Sequence, residues 1–230
     1  MINFFIYKTN STIIFISNMN IVLKINFLFV IHMYNTMASN YEFMKFYTPK
    51  ILMGADVILD VVNEYVGKNM KILVFGLGHD SKLWYNANDC KNIWFVESND
   101  EYIKLSDYMD PKYVIKYTYS GLSVKKSFTM TQQEIDKYPV PKEILQNAPY
   151  DLIIVDGPTG FNDDVPGRLL PIYWSSKYLS KKGTLIYLDD SERKLEDFCI
   201  KKFLSNAKLL KTFVRVVTPT YLCDTAKYLM

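Results

Sequence analysis

Residues 71–80 read Lys71-Ile-Leu-Val-Phe-Gly-Leu-Gly-His-Asp80 and join a short apolar run to two closely spaced glycines. Four consecutive apolar residues are typical of a buried strand, and glycine lets the backbone turn tightly and approach a ligand. A helical pattern follows from Ser81 to about residue 88. A strand, a glycine turn and a helix in this order form one half of a nucleotide-binding unit.

Glu97 supplies a candidate for the other half. It ends a second apolar run and lies 21 residues after Gly76. In doubly wound sheets, a carboxylate at this spacing lies at the tip of the second strand, where it can accept hydrogen bonds from two ribose hydroxyls. Gly76, Gly78 and Glu97 together therefore predict a site for a nucleoside cofactor.

The glycine turn differs from a dinucleotide-binding turn. Such turns have a third glycine three residues after the second, and this chain has Ser81 there. Asp80 also places negative charge where a helix N-terminus would otherwise favour a phosphate. The turn therefore disfavours pyrophosphate and suits S-adenosyl-L-methionine (SAM), which carries an ammonium and a sulfonium. The alternative is a plain turn in which Asp80 or Ser81 caps the following helix.

Apolar runs recur along the chain, and the segments between them are long enough to hold helices. This alternation predicts one α/β domain with a mostly parallel sheet and helices on both faces. Residues 120–149 are polar and contain three prolines, which is typical of a loop-rich excursion. The runs are residues 72–75, 93–96, 113–117, 152–155, 184–188 and 213–217, and the expected helices are residues 48–66, 81–88, 100–107, 168–179 and 192–204.

Two later apolar runs also end in acidic residues. Asp156 closes one and precedes Gly157 and Pro158, and Asp190 follows the other. Since ligands of parallel sheets bind beyond the carboxyl ends of the strands, we expect both carboxylates near the cofactor. Asp156 is the first candidate for a general base and can also hold the methionyl ammonium, and Asp190 is the second candidate base. The alternative is that these residues cap local turns.

Two basic residues are candidates for contacts with the acceptor. Arg168 stands at a predicted helix start, and its planar guanidinium can bind a carboxylate through two hydrogen bonds. His79 can hydrogen-bond the acceptor or the cofactor. The alternatives are an ordinary surface arginine and a histidine buried in a turn.

The composition argues against several other classes of protein. The net charge is only +3 over 230 residues, and the lysines and arginines form no stripe of the kind that binds nucleic acid. Three cysteines without CxxC spacing indicate neither a zinc site nor a disulfide framework. With only two histidines, a histidine-based metal site is not expected either.

Residues 1–36 differ from the rest of the chain and are rich in Ile, Phe and Asn. Their apolar stretch, residues 21–33, contains Lys24, Asn26 and His32 and is shorter than the roughly 18 apolar residues of a membrane span. Two interpretations stay open: a weak membrane anchor, or a leader outside a single domain at residues 37–230. Membrane association is expected only through residues 1–36, and without an anchor the expected location is the cytoplasm.

Several stretches together resemble the plant glucuronoxylan 4-O-methyltransferase family, also known as the domain-of-unknown-function-579 or polysaccharide-biosynthesis family. They extend over about residues 48–221 and match the family in order and spacing. The stretches are Val74-Phe-Gly-Leu-Gly-His-Asp-Ser81 with Trp84, Phe95-Val-Glu97 with Asp100-Glu101, Tyr150-Asp-Leu-Ile-Ile-Val-Asp-Gly-Pro-Thr-Gly-Phe161, Pro166-Gly-Arg168, and Asp190 with Arg193 and Glu196-Asp197.

This resemblance implies a Rossmann-like SAM-dependent methyltransferase fold with a seven-stranded sheet. It also implies methyl transfer to the 4-hydroxyl of a glucuronic acid residue, with a glycan or another uronate-containing saccharide as the partner. With the motif match, the expected cofactor contacts are Gly76, Gly78, His79, Asp80, Ser81, Glu97 and Asp156, and the expected acceptor contacts are Arg168 and His79.

The chain departs from the family pattern at two site positions, with Asp189 where the family usually has His and Gly157 where it has Ala. The family also carries a clearer membrane anchor, and an anchor at residues 1–36 would imply a Golgi or other secretory membrane. Some family members have no established activity. A catalytically silent scaffold in a polysaccharide-biosynthesis complex is therefore the alternative function.

Overall fold

A computed structural model of the chain describes residues 5–8, 13–16, 50–66, 68–218 and 221–230. The chain divides into two units, Met1–Glu42 and Phe43–Met230. In the first unit, strands β1 (Phe5–Lys8) and β2 (Ile13–Ile16) pair antiparallel. The rest of the predicted leader or anchor lies outside the described residues. Within the described ranges, no helix has the length and apolar character needed to cross a membrane.

A seven-stranded sheet forms the centre of the second unit. The order across it is β5-β4-β3-β6-β7-β9-β8, the first five strands are parallel, and β9 is antiparallel to both of its neighbours. The predicted mostly parallel, seven-stranded sheet is thus confirmed. Its strands are β3 (Ile72–Phe75), β4 (Ile93–Glu97), β5 (Val114–Lys116), β6 (Leu152–Val155), β7 (Leu185–Leu188), β8 (Lys208–Thr218) and β9 (Tyr221–Leu229).

Helices connect the parallel strands. Because such crossovers are right-handed, the helices between β3, β4 and β5 cover one face of the sheet, and those on the way to β6 and β7 cover the other. This is a Rossmann-like fold. The helices are α1 (Ala55–Tyr65), α2 (Ser81–Ala87), α3 (Asp100–Lys104), α4 (Val124–Ser127), α5 (Gln132–Ile135), α6 (Lys142–Asn147), α7 (Leu169–Trp174), which continues as a π turn over Ser175–Leu179, and α8 (Lys194–Phe203).

The centre of the sheet is a topological switch point. Strand β3 has β4 on one side and β6 on the other, so the connections that leave these strands diverge and open a crevice at their carboxyl ends. All residues of β3, β4 and β6 are buried, which explains why the sequence shows them as continuous apolar runs. The sheet thus provides a rigid base for the crevice.

Three elements differ from the predictions. Helix α1 begins only at Ala55, after Gly54. Residues 120–149 contain α4, α5 and α6 rather than loop alone, and Thr131 and Glu134 form a capping box at the start of α5. Strand β9 was not among the predicted runs, because polar residues such as Lys227 interrupt its apolar pattern. In the fold, Lys227 donates hydrogen bonds from Nζ to Asp60 and Glu64 on α1.

Candidate active site

Three residues meet where β3, β4 and β6 end in register. Phe75 pairs with Val96 on one side and with Val155 on the other, so the next residues, Gly76, Glu97 and Asp156, reach the same edge. These three residues were predicted to converge. They do so because the three strands end in register.

Gly76 fills a position that a side chain would block. Its φ is +111°, in the region that favours glycine, and a Cβ there would lie 3.2 Å from both the carbonyl carbon of Asp156 and the amide nitrogen of Gly157. A Cβ on Gly157 would in turn lie 2.8 Å from the Cα of Gly76. The two strand ends can approach this closely only because both positions are glycine.

A cavity of about 500 Å³ opens at this edge. The volume is in the range of about 300–1,000 Å³ that small-molecule and cofactor sites occupy. Six of the predicted site residues line it, namely Gly76, Gly78, His79, Asp80, Glu97 and Asp156, and Ser81, Arg168 and Asp190 do not.

The Glu97 carboxylate is held by backbone amides. Its Oε2 accepts a hydrogen bond from the amide of Leu77 at 2.7 Å, and its Oε1 accepts from the amides of Ser98 and Asn99 at 2.6 Å each. A carboxylate offers about four acceptor positions, so Oε2 keeps one for a ligand. Glu97 therefore links the glycine turn to the end of β4 and still faces the cavity.

The turn after Gly78 is stabilised by Ser81, whose Oγ accepts a hydrogen bond from the Gly78 amide at 2.8 Å. Ser81 thus supports the turn from behind and does not line the cavity. The Asp80 side chain makes no cap bond; it accepts a hydrogen bond from the indole nitrogen of Trp84 at 2.9 Å. Burial raises the pKa of Asp80, and the nearby Asp189 carboxylate raises it further.

Asp156 presents a partly exposed carboxyl to the cavity, with about a third of its side chain accessible. Desolvation raises its pKa well above the usual range, and the neighbouring Asp189 adds to this effect against the opposing charge of Arg168. A carboxyl with a raised pKa that lines a cavity is a candidate for proton exchange with a ligand.

Arg168 and Asp190 lie beneath the cavity, and this differs from their predicted roles. The guanidinium is only 3% exposed and donates to the main-chain oxygens of Asp156 and Asp189 and to the carboxylates of Asp156 and Asp190. Asp190 also pairs with Arg193 at 2.9 Å. The guanidinium of Arg168 is therefore turned toward these oxygens and not toward an acceptor carboxylate in the cavity. Asp190 pairs with Arg168 and does not line the cavity in which it would take the proton of an acceptor hydroxyl.

A family model described as IRX15/IRX15L/GXM matches residues 55–217 of the chain. The chain belongs to this family. The match includes the three aligned strand ends and the buried arginine beneath them. The resemblance inferred from the glycine turn and the Asp156 segment is thereby confirmed.

Curated relatives of this family come from Arabidopsis thaliana. Glucuronoxylan 4-O-methyltransferase 1 is 30% identical over 65% of this chain and 61% of its own length. Arabinogalactan O-methyltransferase 2 is 30% identical over 64% and 58%, and Protein IRX15-LIKE is 26% identical over 61% and 52%. The chain thus spans between half and two thirds of the length of these relatives.

Solved structures with a similar fold include an O-methyltransferase from Bacillus cereus in complex with SAH, at 14% identity and a TM-score of 0.44, covering 86% of this chain and 90% of that one. A methyltransferase from Pyrococcus furiosus has 13% identity and a TM-score of 0.46, and covers 86% and 98%. The fold assignment itself rests on the order and direction of the strands.

Three aspartates at or beneath the floor of the cavity are spaced closely enough to form a cation site. One oxygen each from Asp156, Asp189 and Asp190 lie within 4.8 Å of one another. The Arg168 guanidinium already supplies positive charge to these carboxylates, at 3.1 Å from Asp156 and 2.8 Å from Asp190. The geometry therefore gives this cluster a cationic partner without a metal ion.

Several cavity residues were not anticipated from the sequence. Ile51, Leu52 and Met53 supply an apolar wall from the segment before α1, and Asn99 and Tyr102 line the side next to β4. Asn99 caps α3 through the amide of Glu101, a signal that the sequence Glu97-Ser-Asn-Asp100 does contain. The apolar segment before α1 carries no comparable signal.

His79 lies at the exposed side of the cavity, with its ring edge-on to Tyr102 at 6.5 Å between centroids. It is therefore not a histidine buried in a turn. Its position next to the glycine turn leaves it accessible to a ligand, and its contact with the cofactor or the acceptor stays a prediction.

Proposed function

We propose that this chain is a SAM-dependent O-methyltransferase that acts on a sugar hydroxyl of a glycan, with the 4-hydroxyl of a glucuronic acid residue as the preferred acceptor. The observation that carries this proposal is the alignment of Gly76, Glu97 and Asp156 around a cavity of about 500 Å³. The relatives named as glucuronoxylan and arabinogalactan O-methyltransferases support the choice of acceptor.

The cavity residues suit SAM in charge and shape. Gly76 and Gly78 would let the backbone approach the nucleoside, and the open acceptor position of Glu97 Oε2 would take a ribose hydroxyl. Asp80 and Asp156 give the cavity negative charge, which favours a sulfonium and an ammonium and opposes a pyrophosphate. When bound, SAM supplies an electrophilic methyl group on its sulfonium.

Asp156 is the residue placed to accept the proton of the acceptor hydroxyl. A sugar hydroxyl is hardly ionised near neutral pH, so it needs a base as the new bond forms. The raised pKa of Asp156 brings this carboxyl towards the working pH, where a general base contributes roughly 10²–10⁴-fold. Arg168 acts as a positioning residue, because the hydrogen bond that it donates to Oδ1 of Asp156 fixes the orientation of that carboxyl.

The strand ends supply the rigidity that methyl transfer requires. An in-line displacement needs donor and hydroxyl at near-attack distance, and such positioning can lower the barrier by about 7–11 kcal/mol. Glu97 is fixed by three backbone amides and Asp156 by a buried guanidinium, so neither has to reorganise when ligands bind. The apolar wall at residues 51–53 would exclude water from the reacting atoms.

Two measurements test the proposal. Isothermal titration of the protein with SAM, SAH and NAD should show binding of the first two only. Incubation with methyl-labelled SAM and glucuronate-bearing xylo-oligosaccharides should place the label on the sugar. Binding of SAM without any label on the saccharide would favour the catalytically silent scaffold, and no binding of SAM or SAH would refute the cofactor assignment.

A further inference from the structure

A second cavity, of about 300 Å³, lies on the other side of the segment that carries Asp156. Thr159 lines the first cavity and Gly160 lines the second, so the two adjoin through consecutive residues. The walls of the second cavity are residues 160–163 and the first turn of α8, residues 193–196, together with Val124. A ligand in the second cavity would therefore sit next to the proposed reaction site.

Glu196 is a buried group in the wall of this second cavity that lacks a polar partner. Its side chain is fully buried, and neither carboxyl oxygen has a hydrogen-bond partner among the described residues. A Cβ on Gly160 would lie 3.1 Å from Oε1, so only the small Gly160 separates the carboxyl from the segment above it. Burial raises the pKa of Glu196 against the opposing charges of Arg168 and Arg193. A ligand that brings hydroxyl donors would satisfy this group.

The same cavity has a cationic rim. Arg193 and Lys194 both line it at the start of α8, where the helix dipole also favours an anion. The side chain of Arg193 pairs with Asp190 through Nη2, and its Nη1 faces the Gly160 side, 3.7 Å from where a Cβ would stand. Asp163 is an acidic residue of the same cavity, so a carboxylate is expected on the side of Arg193 and Lys194, while the buried wall requires hydroxyl donors.

Phe161 adds an apolar plane to this rim. Its side chain is 69% exposed, which is unusual for a phenylalanine, and it lines the cavity beside Asn162 and Asp163. An exposed aromatic ring at a binding site offers a large, rigid apolar surface. A ligand that packs on it needs an apolar face, and it can carry polar groups at its edges. A pyranose ring has this combination.

We infer that the second cavity, formed by residues 160–163 and 193–196, is a subsite for a uronate sugar of the acceptor glycan. The sugar ring lies on Phe161, its carboxylate meets Arg193 and Lys194, and its hydroxyls approach Glu196 after a small shift of Gly160. This inference rests on the proposed glycan methyltransferase function and assigns to the second cavity the carboxylate contact that buried Arg168 is not placed to make.

Two surface substitutions test the subsite with little risk to the fold. In Phe161→Ala and Lys194→Met, the KM for a glucuronate-bearing oligosaccharide should rise about five- to tenfold, while kcat and the SAM dissociation constant stay as in the unmodified protein. Tyr178→Ala is the matched control, because Tyr178 is also an exposed aromatic residue, at 39%, but lines neither cavity. It should leave all three quantities unchanged.

Direct titration with saccharide in the presence of SAH separates this inference from the proposed function. The glucuronate-bearing oligosaccharide should bind the unmodified protein at least tenfold more tightly than the neutral xylo-oligosaccharide, and Lys194→Met should reduce that difference. If the unmodified protein methylates the glycan but both variants keep its KM, the subsite is refuted and the enzyme assignment stands. If the protein does not bind SAH, the proposed function fails. If it also binds both saccharides equally, the subsite fails with it.

Discussion

Glu97 shows how one residue can join two parts of a site. Its carboxylate accepts backbone hydrogen bonds from the glycine turn and from the end of β4, so it organises the cavity before any ligand arrives. The sequence predicted only a ribose contact from its spacing to Gly76. Its structural role could not be predicted, because it depends on amides that only the folded register brings within reach.

Replacement of Glu97 by Gln should weaken binding of SAH about 10- to 100-fold. The side-chain amide nitrogen of the glutamine would face the backbone N–H of Leu77. A lost hydrogen bond to a charged acceptor costs about 1.5–3 kcal/mol. Calorimetric titration measures the change. Glu101→Gln is the control, because Glu101 is exposed on α3 only four residues away. An unchanged affinity in Glu97→Gln would contradict the ribose role.

Asp156→Asn should keep the fold and reduce kcat by roughly 10²–10⁴-fold. The base acts in its deprotonated form, so the rate should rise with pH through the raised pKa of Asp156 and fall below it. The acidic limb of the kcat/KM profile should therefore lie above the pKa of about 3.9 of a free aspartate. A limb at that ordinary value, or full turnover in Asp156→Asn, would remove Asp156 from the base role.

Gly76→Ala and Gly183→Ala separate backbone strain from close packing. Both glycines have positive φ, at +111° and +95°, but a Cβ at Gly183 meets nothing within 4 Å. Each substitution should cost about 1–3 kcal/mol through the backbone, and Gly76→Ala should cost about 1–3 kcal/mol more because it presses β3 against β6. Urea unfolding gives both values. Equal losses would show that the close approach of the two strands is unimportant.

At the level of elements, Arg168 connects β6 to β7. It is the first residue before α7, and its guanidinium bonds the ends of both strands through main-chain oxygens and carboxylates. The sequence predicted a contact between Arg168 and an acceptor carboxylate, whereas the structure turns the guanidinium toward the ends of β6 and β7. The partners lie 12 to 22 residues away, and only the parallel pairing of β6 with β7 places them around one side chain.

Arg168→Met should destabilise the protein by about 3–5 kcal/mol, because it removes the buried cationic partner of Asp156 and leaves buried Asp190 with Arg193 alone. Thermal and urea unfolding should both report the loss. Lys201→Met removes an exposed partner of Asp197 and should change stability little. If Arg168→Met keeps its stability but raises the KM for the acceptor, Arg168 contacts the saccharide after all.

Whether an element could be predicted from the sequence depended on whether its apolar pattern is continuous or interrupted. The parallel strands β3, β4 and β6 were predicted because they are buried on both faces and appear as unbroken apolar runs. Strand β9 was missed because Asp224 and Lys227 interrupt that pattern, and the partners of Lys227 on α1 are more than 160 residues distant. Elements that owe their stability to distant polar partners leave no local signal.

On the scale of the whole molecule, negative charge is concentrated in one place. The chain as a whole has a net charge of +3, but the first cavity is lined by three acidic residues, Asp80, Glu97 and Asp156, and by one lysine, Lys50. Burial raises the pKa of Asp80 and of Asp156, so both carboxyls hold their protons to a higher pH than free aspartates do. Binding of a cation should therefore displace protons.

SAM, whose sulfonium carries a charge that SAH lacks, should release more protons on binding than SAH does. The bound cation favours the carboxylates and lowers their pKa, so SAM affinity should rise with pH through the raised pKa values of Asp80 and Asp156. Titrations in two buffers of different ionisation enthalpy give the number of protons released. Asp156→Asn should reduce the difference between SAM and SAH, and Asp89→Asn, an exposed residue outside the cavity, should not. Equal proton release for both ligands would show that the acidic wall does not face the sulfonium.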